Sequence, residues 1–375
     1  MKLSHEVLTV TVATPAVSPG MKELQEVAIQ EGIIKTRIKV RVKDAYNAYE
    51  ADRPGSQTFL AYLPGTGVPV GTISGWPHLV YYGGSREPLQ AVLVNRLAVH
   101  PDYRKQGIAK ALWNELNHWI KATFGEELLV YGYFQKGNAA SKAWFHSAGG
   151  KFTGREVLLT PVKTLPLSQP ANPIPPIPGY EIRKDTTNDY EAVVGGLNRF
   201  YRGYDFYWSE EAATLGEWLG PKIIDGRPLQ LTDYYVLMDK GGRPVAGAGV
   251  FYQSKLFDVK VVKMPAVVRL LNGVLKLVPA NGSLASTQVT KLWYEQEHLE
   301  AAQLFWHELR RLESANGSSL LIYFDRKGQI PPVLNLSKLQ PVSHNYLVIL
   351  NQPFSSSADN NSNSGSEAIR PIFYL

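Results

Sequence analysis

Arg104-Lys105-Gln106-Gly107-Ile108-Ala109 stands where an apolar strand gives way to a helix, and its residue types suit one kind of chemistry. A helix N-terminus presents unpaired backbone N–H groups and the positive end of its dipole, so it attracts phosphate. Gly107 removes the side chain that would block close approach, Ala109 is nearly as small, and Arg104 and Lys105 add positive charge. A glycine at such a turn also serves as a plain tight connection, so the loop by itself leaves both readings open.

The elements around the loop follow from spacing. Val92-Leu93-Val94 and Leu97-Ala98-Val99, joined by Asn95-Arg96, read as a strand that breaks at His100-Pro101. Ile108, Leu112, Leu116, Trp119 and Ile120 then fall on one helical face, with Lys110, Asn114, Asn117 and Lys121 on the other. A second apolar strand spans residues 128–134. It is followed by Asn138, placed to cap a helix that closes on Gly149-Gly150.

Val99 to Ala109, followed by Asn138 to Gly150, resembles the two central motifs of the GNAT acyltransferase superfamily, in which an Arg/Gln-x-x-Gly-x-Gly/Ala segment binds the pyrophosphate of coenzyme A. The resemblance covers residues 60–160. It implies acetyl-CoA as cosubstrate, with the pyrophosphate at Gln106, Gly107, Ile108 and Ala109 beside Arg104 and Lys105. The pantetheine arm would follow Leu97, Ala98 and Val99 within reach of Asn138 and Ser141. It further implies direct transfer to an amine in a ternary complex, with the oxyanion held by backbone N–H groups at Leu97 and Val99.

The family's usual strand carboxylate and helix tyrosine are missing, because Asn95-Arg96 and Phe145 occupy those positions. Tyr133 on the neighbouring strand is the candidate proton donor. Tyr131, His100 and His146 are further titratable groups nearby, each equally readable as a packed or surface residue. Asp102 is expected to stabilise the helix entry. His307 begins a zinc-protease-like helix but has no second histidine at the required spacing, and no metal site is expected. No Gly-x-Gly-x-x-Gly follows a strand, which disfavours a dinucleotide-binding fold.

Composition bounds the rest. A chain of 375 residues with 44% hydrophobic side chains predicts two packed domains. No apolar run is long enough to span a bilayer, the first 20 residues do not read as a secretory signal, and no membrane partner is expected. The absence of cysteine excludes disulfides, cysteine-ligated zinc and an acyl-cysteine, and fits a cytoplasmic protein. Of the formal charge of +6, residues 1–160 carry 18 basic against 13 acidic side chains, or +5, which favours an anionic ligand in that half.

The predicted fold is α+β, a tandem GNAT-like arrangement with a mixed, mostly antiparallel sheet flanked by helices. Residues 1–160 form the cofactor-binding domain, 161–179 a Pro-rich linker, and 180–375 a second, degenerate domain of similar element order. Lys291 to His298 replaces the phosphate loop there and contains no glycine. This layout is similar to that of the plant HOOKLESS proteins. Helices are expected over residues 21–32 and 210–224, a strand over 68–73 that runs on or restarts through 76–82, and a last strand over 369–375, after a polar low-complexity run at 355–366.

Lys35, Arg37, Lys39, Arg41 and Lys43 alternate with apolar residues, which reads as a charge-defended edge strand or, alternatively, a polyanion-binding face. Few aromatics accompany it, so nucleic acid is not the expected partner. The leading reading is an acetyl-CoA-dependent N-acetyltransferase acting on a small-molecule or peptide amine. The alternative is a non-catalytic CoA-binding or protein-interaction protein.

Overall fold

The computed structural model describes residues 8–30, 34–65, 67–162, 178–275, 278–314, 319–336, 340–352 and 370–373. Most of the Pro-rich segment and the polar run at 355–366 lie outside them. The first half comprises β1 (Thr9–Val12), α1 (Ser18–Val27), β2 (Ile29–Gln30), β3 (Lys35–Val40), α2 (Ala45–Asp52), β4 (Gln57–Tyr62), β5 (Pro69–Val80), β6 (Leu89–Val99), α3 (Ile108–Phe124), β7 (Leu129–Gln135), α4 (Ala139–Ser147) and β8 (Lys151–Val162). The second half comprises β9 (Tyr180–Lys184), α5 (Tyr190–Phe200), α6 (Ala212–Leu219), β10 (Lys222–Ile224), β11 (Arg227–Leu229), β12 (Thr232–Asp239), β13 (Pro244–Phe251), β14 (Phe257–Lys263), α7 (Ala266–Leu275), β15 (Ser283–Leu284), β16 (Ser286–Tyr294), α8 (Leu299–Ser314), β17 (Ser319–Phe324), α9 (Ile330–Leu334) and β18 (Ser343–Asn351).

A single twelve-stranded sheet runs through both halves in the order β1-β4-β5-β6-β7-β18-β8-β17-β16-β13-β12-β9. Its neighbours are antiparallel except β6–β7 and β16–β17, which are parallel and sit at matching places from either edge. The last strand of each half crosses over. β8 follows α4 but pairs with β17, and β18 follows α9 but pairs with β7, while β8 and β18 pair with each other at the centre. Each half therefore completes the sheet of the other.

α3 lays Ile108, Leu112, Leu116 and Ile120 against the first-half sheet, as its helical spacing predicts. A larger apolar core under α5, α6 and α8 holds the second half. A third cluster, including Leu93, Tyr131, Phe206 and Ile349, with Trp76 and Trp208 packed against it, joins the halves.

Several local expectations change. The helix at 21–32 is α1, shifted earlier because Pro19 suits a first helical turn. Of the two readings open for residues 68–82, the strand runs on and does not restart: β5 is continuous, since Gly75 stays extended between β4 and β6. The helix at 210–224 stops at Leu219, and Asp225-Gly226 turns β10 into β11 with both residues at positive φ. Residues 369–375 do not form a strand among the described residues: Ile372 makes an isolated bridge to Asp205. The basic strand is not an edge. β3 lies inside a four-stranded sheet, β15-β14-β3-β2, with β2 on one side and second-half β14 on the other.

Candidate active site

The site begins where two strands part. β6 and β7 pair from Ala91–Leu129 to Val94–Gly132 and no further, so the edge of β6 from Asn95 to Val99 is released from β7. Arg96 takes a φ of 52° at a register shift against β5, a bulge that re-aims the chain there. A cavity of about 1080 Å³ opens at this point. It is lined by Asn95 to Val99, by Tyr103 to Lys105 and Gly107 to Lys110 of the loop and first turn of α3, and by Gly137 to Ser141 at the start of α4.

At the loop end of the cavity, Gly107 is the N-cap of α3 with a φ of 84° and no capping side chain. A Cβ built on Gly107 would meet nothing within 4 Å, so the first N–H groups of α3 face open space. Lys105 also has a positive φ, of 64°. Arg104 lines the cavity, but its guanidinium donates to the carbonyls of Val99 at 3.4 Å and Ile29 at 3.2 Å, bracing the loop. Gln106 donates to the Asp102 carbonyl at 3.4 Å and is not among the lining residues. Asn138 caps α4, accepting from the Ser141 N–H at 2.9 Å, and both residues line the cavity.

The other end holds residues that sequence reasoning missed. α2, capped by Asp44, carries Tyr49 and Asp52 to the cavity. Arg96 donates to Asp52 at 2.5 Å and to the Tyr49 carbonyl at 3.1 Å, with its guanidinium 4.2 Å above the Tyr49 ring. Burial pushes the Tyr49 phenol well above the usual range. Asp52 is the carboxylate among the lining residues, against Arg53, Arg96, Arg104, Lys105 and Lys110. Gln253, Phe257, Val259, Gln288 and Tyr323 of the second half close the wall. Nothing local in the sequence announces Asp52, which lies 44 residues before Arg96 and meets it only through the tertiary fold.

Both amide atoms of Asn95 and Nη1 of Arg96 are buried with no hydrogen-bond partner among the described residues. Unsatisfied polar atoms are costly, and their concentration at an opening with an excess of cations fits a polar, anionic ligand. Tyr133 follows the last residue of β7 that pairs with β6, stays paired with Leu347 of β18, has its ring edge-on to Tyr131 at 5.8 Å, and is not among the lining residues. Tyr131 reaches Nε2 of His78 at 2.8 Å, while Nδ1 of His78 lies 3.0 Å from the Trp76 carbonyl. Burial pushes the His78 imidazole down to about 4.

The second half repeats this geometry and fills it. β16 and β17 part after Val289–Ile322, and Lys291 holds a φ of 50° at the matching bulge. The opening there is only about 20 Å³. Trp293 is fully buried against Gly196, where an added Cβ would meet its ring at 2.3 Å. Tyr201 donates to the Leu292 carbonyl at 2.6 Å and Tyr234 to that of Lys291 at 3.0 Å. The Lys291 ammonium is buried against Glu210 between Trp208 and Trp218. α8 follows its 3-10 turn directly, with no counterpart of Arg104 to Gly107. Glu295, Glu297 and His298 approach one another beside it, but Arg199 and Arg243 already meet the Glu295 charge.

Comparison with known proteins agrees with this layout. The profile of the acetyltransferase (GNAT) family matches residues 21–149. No curated protein matches. Among solved structures, Saccharomyces cerevisiae N-myristoyltransferase with bound myristoyl-CoA is similar over 94% of this chain and 85% of its own, at a TM-score of 0.62 and 12% identity. A tandem GNAT protein from the clavulanic acid biosynthesis pathway is similar over 91% and 98%, at 0.54 and 12%. A GCN5-related N-acetyltransferase from Sphaerobacter thermophilus is similar over 91% and 94%, at 0.56 and 13%. At these identities the likeness speaks for the fold, which is a tandem GNAT-like mixed sheet flanked by helices. Residues 21–149 thus carry an acetyltransferase (GNAT) family domain, and the chain is an N-acyltransferase.

Proposed function

We propose that the chain is an acetyl-CoA-dependent N-acetyltransferase of the cytoplasm that transfers directly to a small-molecule or peptide amine. The observation that carries this reading is one continuous cavity running from the bare N-terminus of α3 to the parted edge of β6. Gly107, Ile108 and Ala109 would hold the pyrophosphate through backbone N–H groups, with Lys105 and Lys110 supplying charge. Leu97, Ala98 and Val99 would receive the pantetheine arm, beside Asn138 and Ser141. The first half, residues 1–160, is thus the cofactor-binding unit, and the second half, 180–375, supplies a wall to the acceptor end.

The reaction joins the amine nitrogen to the thioester carbon and breaks the C–S bond; the ammonium gives up two protons, one released through the base to solvent and one balanced by the proton that the thiolate gains. Backbone N–H groups at Leu97 and Val99 would hold the oxyanion. Asp52 would anchor the incoming ammonium and receive its proton, with Arg96 orienting the carboxylate. Tyr133, one residue past the point where the strands part, is the proposed donor to the thiolate.

The melting temperature with and without acetyl-CoA, in wild type and in Gly107→Glu, tests the cofactor site. Amine-dependent thiol release then tests turnover. A shift without turnover over a broad amine panel would leave a CoA-binding protein, the reading favoured by the lack of a carboxylate at Asn95-Arg96. No shift in wild type would remove the acetyl-CoA reading altogether.

A further inference from the structure

The basic strand β3, its partner β14 and the helix that follows β14 in the chain carry exposed groups that the acyl-transfer reading does not use. Ile38, Phe257 and Val259 of the β3–β14 pair line the cavity, so the alternate residues face outward. Arg37, Lys39, Arg41 and Lys43 are exposed there, and Lys260 stands opposite Arg37 in the register. Asp258, opposite Lys39, lies 3.7 Å from Arg41. The net balance of this face is strongly cationic.

At the end of β14 the chain passes through Met264-Pro265 into α7. Val267 and Leu270, one helical turn apart, are 69% and 79% exposed, the highest values for large apolar side chains among the described residues. Val262, near the end of β14, is 41% exposed, and Lys263 and Arg269 are exposed on the same stretch of chain. Exposed apolar groups set among cations on a short helix are the makings of an interfacial anchor.

We propose that this face docks the protein on an anionic lipid bilayer, with Val262, Val267 and Leu270 entering the headgroup boundary and Arg37, Lys39, Lys260, Lys263 and Arg269 meeting the lipid charge. Peripheral docking requires no spanning segment, and no helix among the described residues is long and apolar enough to cross a membrane. The apolar side chains decide between anionic partners. Nucleic acid would use the cations but offers phosphate and sugar, not hydrocarbon, to Val267 and Leu270. A zwitterionic bilayer would accept those side chains but leave the charge unused.

The test is flotation of the full chain with vesicles of phosphatidylcholine alone or mixed equally with phosphatidylserine. The expected result is binding to the mixed vesicles that weakens with salt, and little binding to phosphatidylcholine. V267D/L270D should abolish it, and K39Q/K260Q should weaken it by an order of magnitude or more, at about fivefold per cation. All variants should keep the acetyl-CoA melting shift of wild type, which separates lost docking from lost folding. The proposal is overturned if wild type leaves mixed vesicles untouched at low salt, or if V267D/L270D binds them as wild type does. Retardation of an RNA or DNA oligonucleotide without vesicle binding overturns it in favour of nucleic acid. A lipid-free dimer that V267D/L270D dissolves, without vesicle binding, overturns it in favour of a second copy of the chain.

Discussion

Arg96 and Asp52 are held 2.5 Å apart although one belongs to the bulge of β6 and the other to the end of α2, and their pair forms the polar end of the cavity. The bulge turns Arg96 toward α2, and the Tyr49 ring and carbonyl fix its guanidinium there. In the proposed reaction, the carboxylate missing from the central strand would thereby come from an earlier helix.

Asp52→Asn should therefore lower kcat for thiol release by about 100-fold, within the range for a positioned proton acceptor. The acetyl-CoA melting shift should persist, because the loop end of the cavity is untouched. Tyr133→Phe, tested alongside, should lower kcat with an alkaline limb displaced from that of wild type. An Asp52→Asn enzyme with unchanged kcat would remove Asp52 from the chemistry.

Gly107→Glu combines a residue at φ 84° with bulk and negative charge at the open N-terminus of α3. The strain costs about 1–2 kcal/mol. Ligand at 100 times its Kd stabilises wild type by about 2.7 kcal/mol, and this increment should vanish in the variant. Differential scanning fluorimetry reads both effects.

Filling rather than binding is the role assigned to Trp293. Trp293→Ala should cost about 3–5 kcal/mol in urea unfolding and leave the acetyl-CoA shift of the surviving folded fraction intact. Gly196→Ala should cost about 1–3 kcal/mol by overpacking the same ring. Equal losses of stability and cofactor binding would show that the plugged opening shapes the open one.

His78 gives a pH signature. Its folded value of about 4 lies below the unfolded value of about 6.5, so the unfolded chain binds more protons between these limits and stability rises with pH there. The contribution is fully present above about pH 6.5 and is lost as pH falls towards 4. Asp185, raised to about 6 by burial and by Asp189 and Asp233, gives a slope of opposite sign below that value. Urea unfolding of wild type and His78→Gln from pH 4 to 7 isolates the imidazole: the variant should lose the rising contribution, so its stability should gain less, or fall more, with increasing pH than that of wild type.

The central machinery was legible because it is contiguous. Strand, turn, glycine and amphipathic helix between Val92 and Ile120 are set by local spacing, and Asn138 caps α4 as its side chain dictates. The duplication was legible through repeated element order, and the missing loop before α8 through the absence of glycine. α2 was not, because Ala45 to Asp52 has little amphipathic contrast.

What the sequence determined by itself, then, is the strand, glycine turn and helix around Gly107, the GNAT-type domain that carries them, and the lack of a glycine turn before α8, since each depends on residues within one helical turn or one strand of each other. Only the tertiary structure decided that β8 and β18 change places, that Asp52 meets Arg96, and that the basic strand is flanked on both sides. Strand order and side-chain meetings between distant segments are settled by which faces bury together and which backbone edges find partners, and no local spacing encodes that choice.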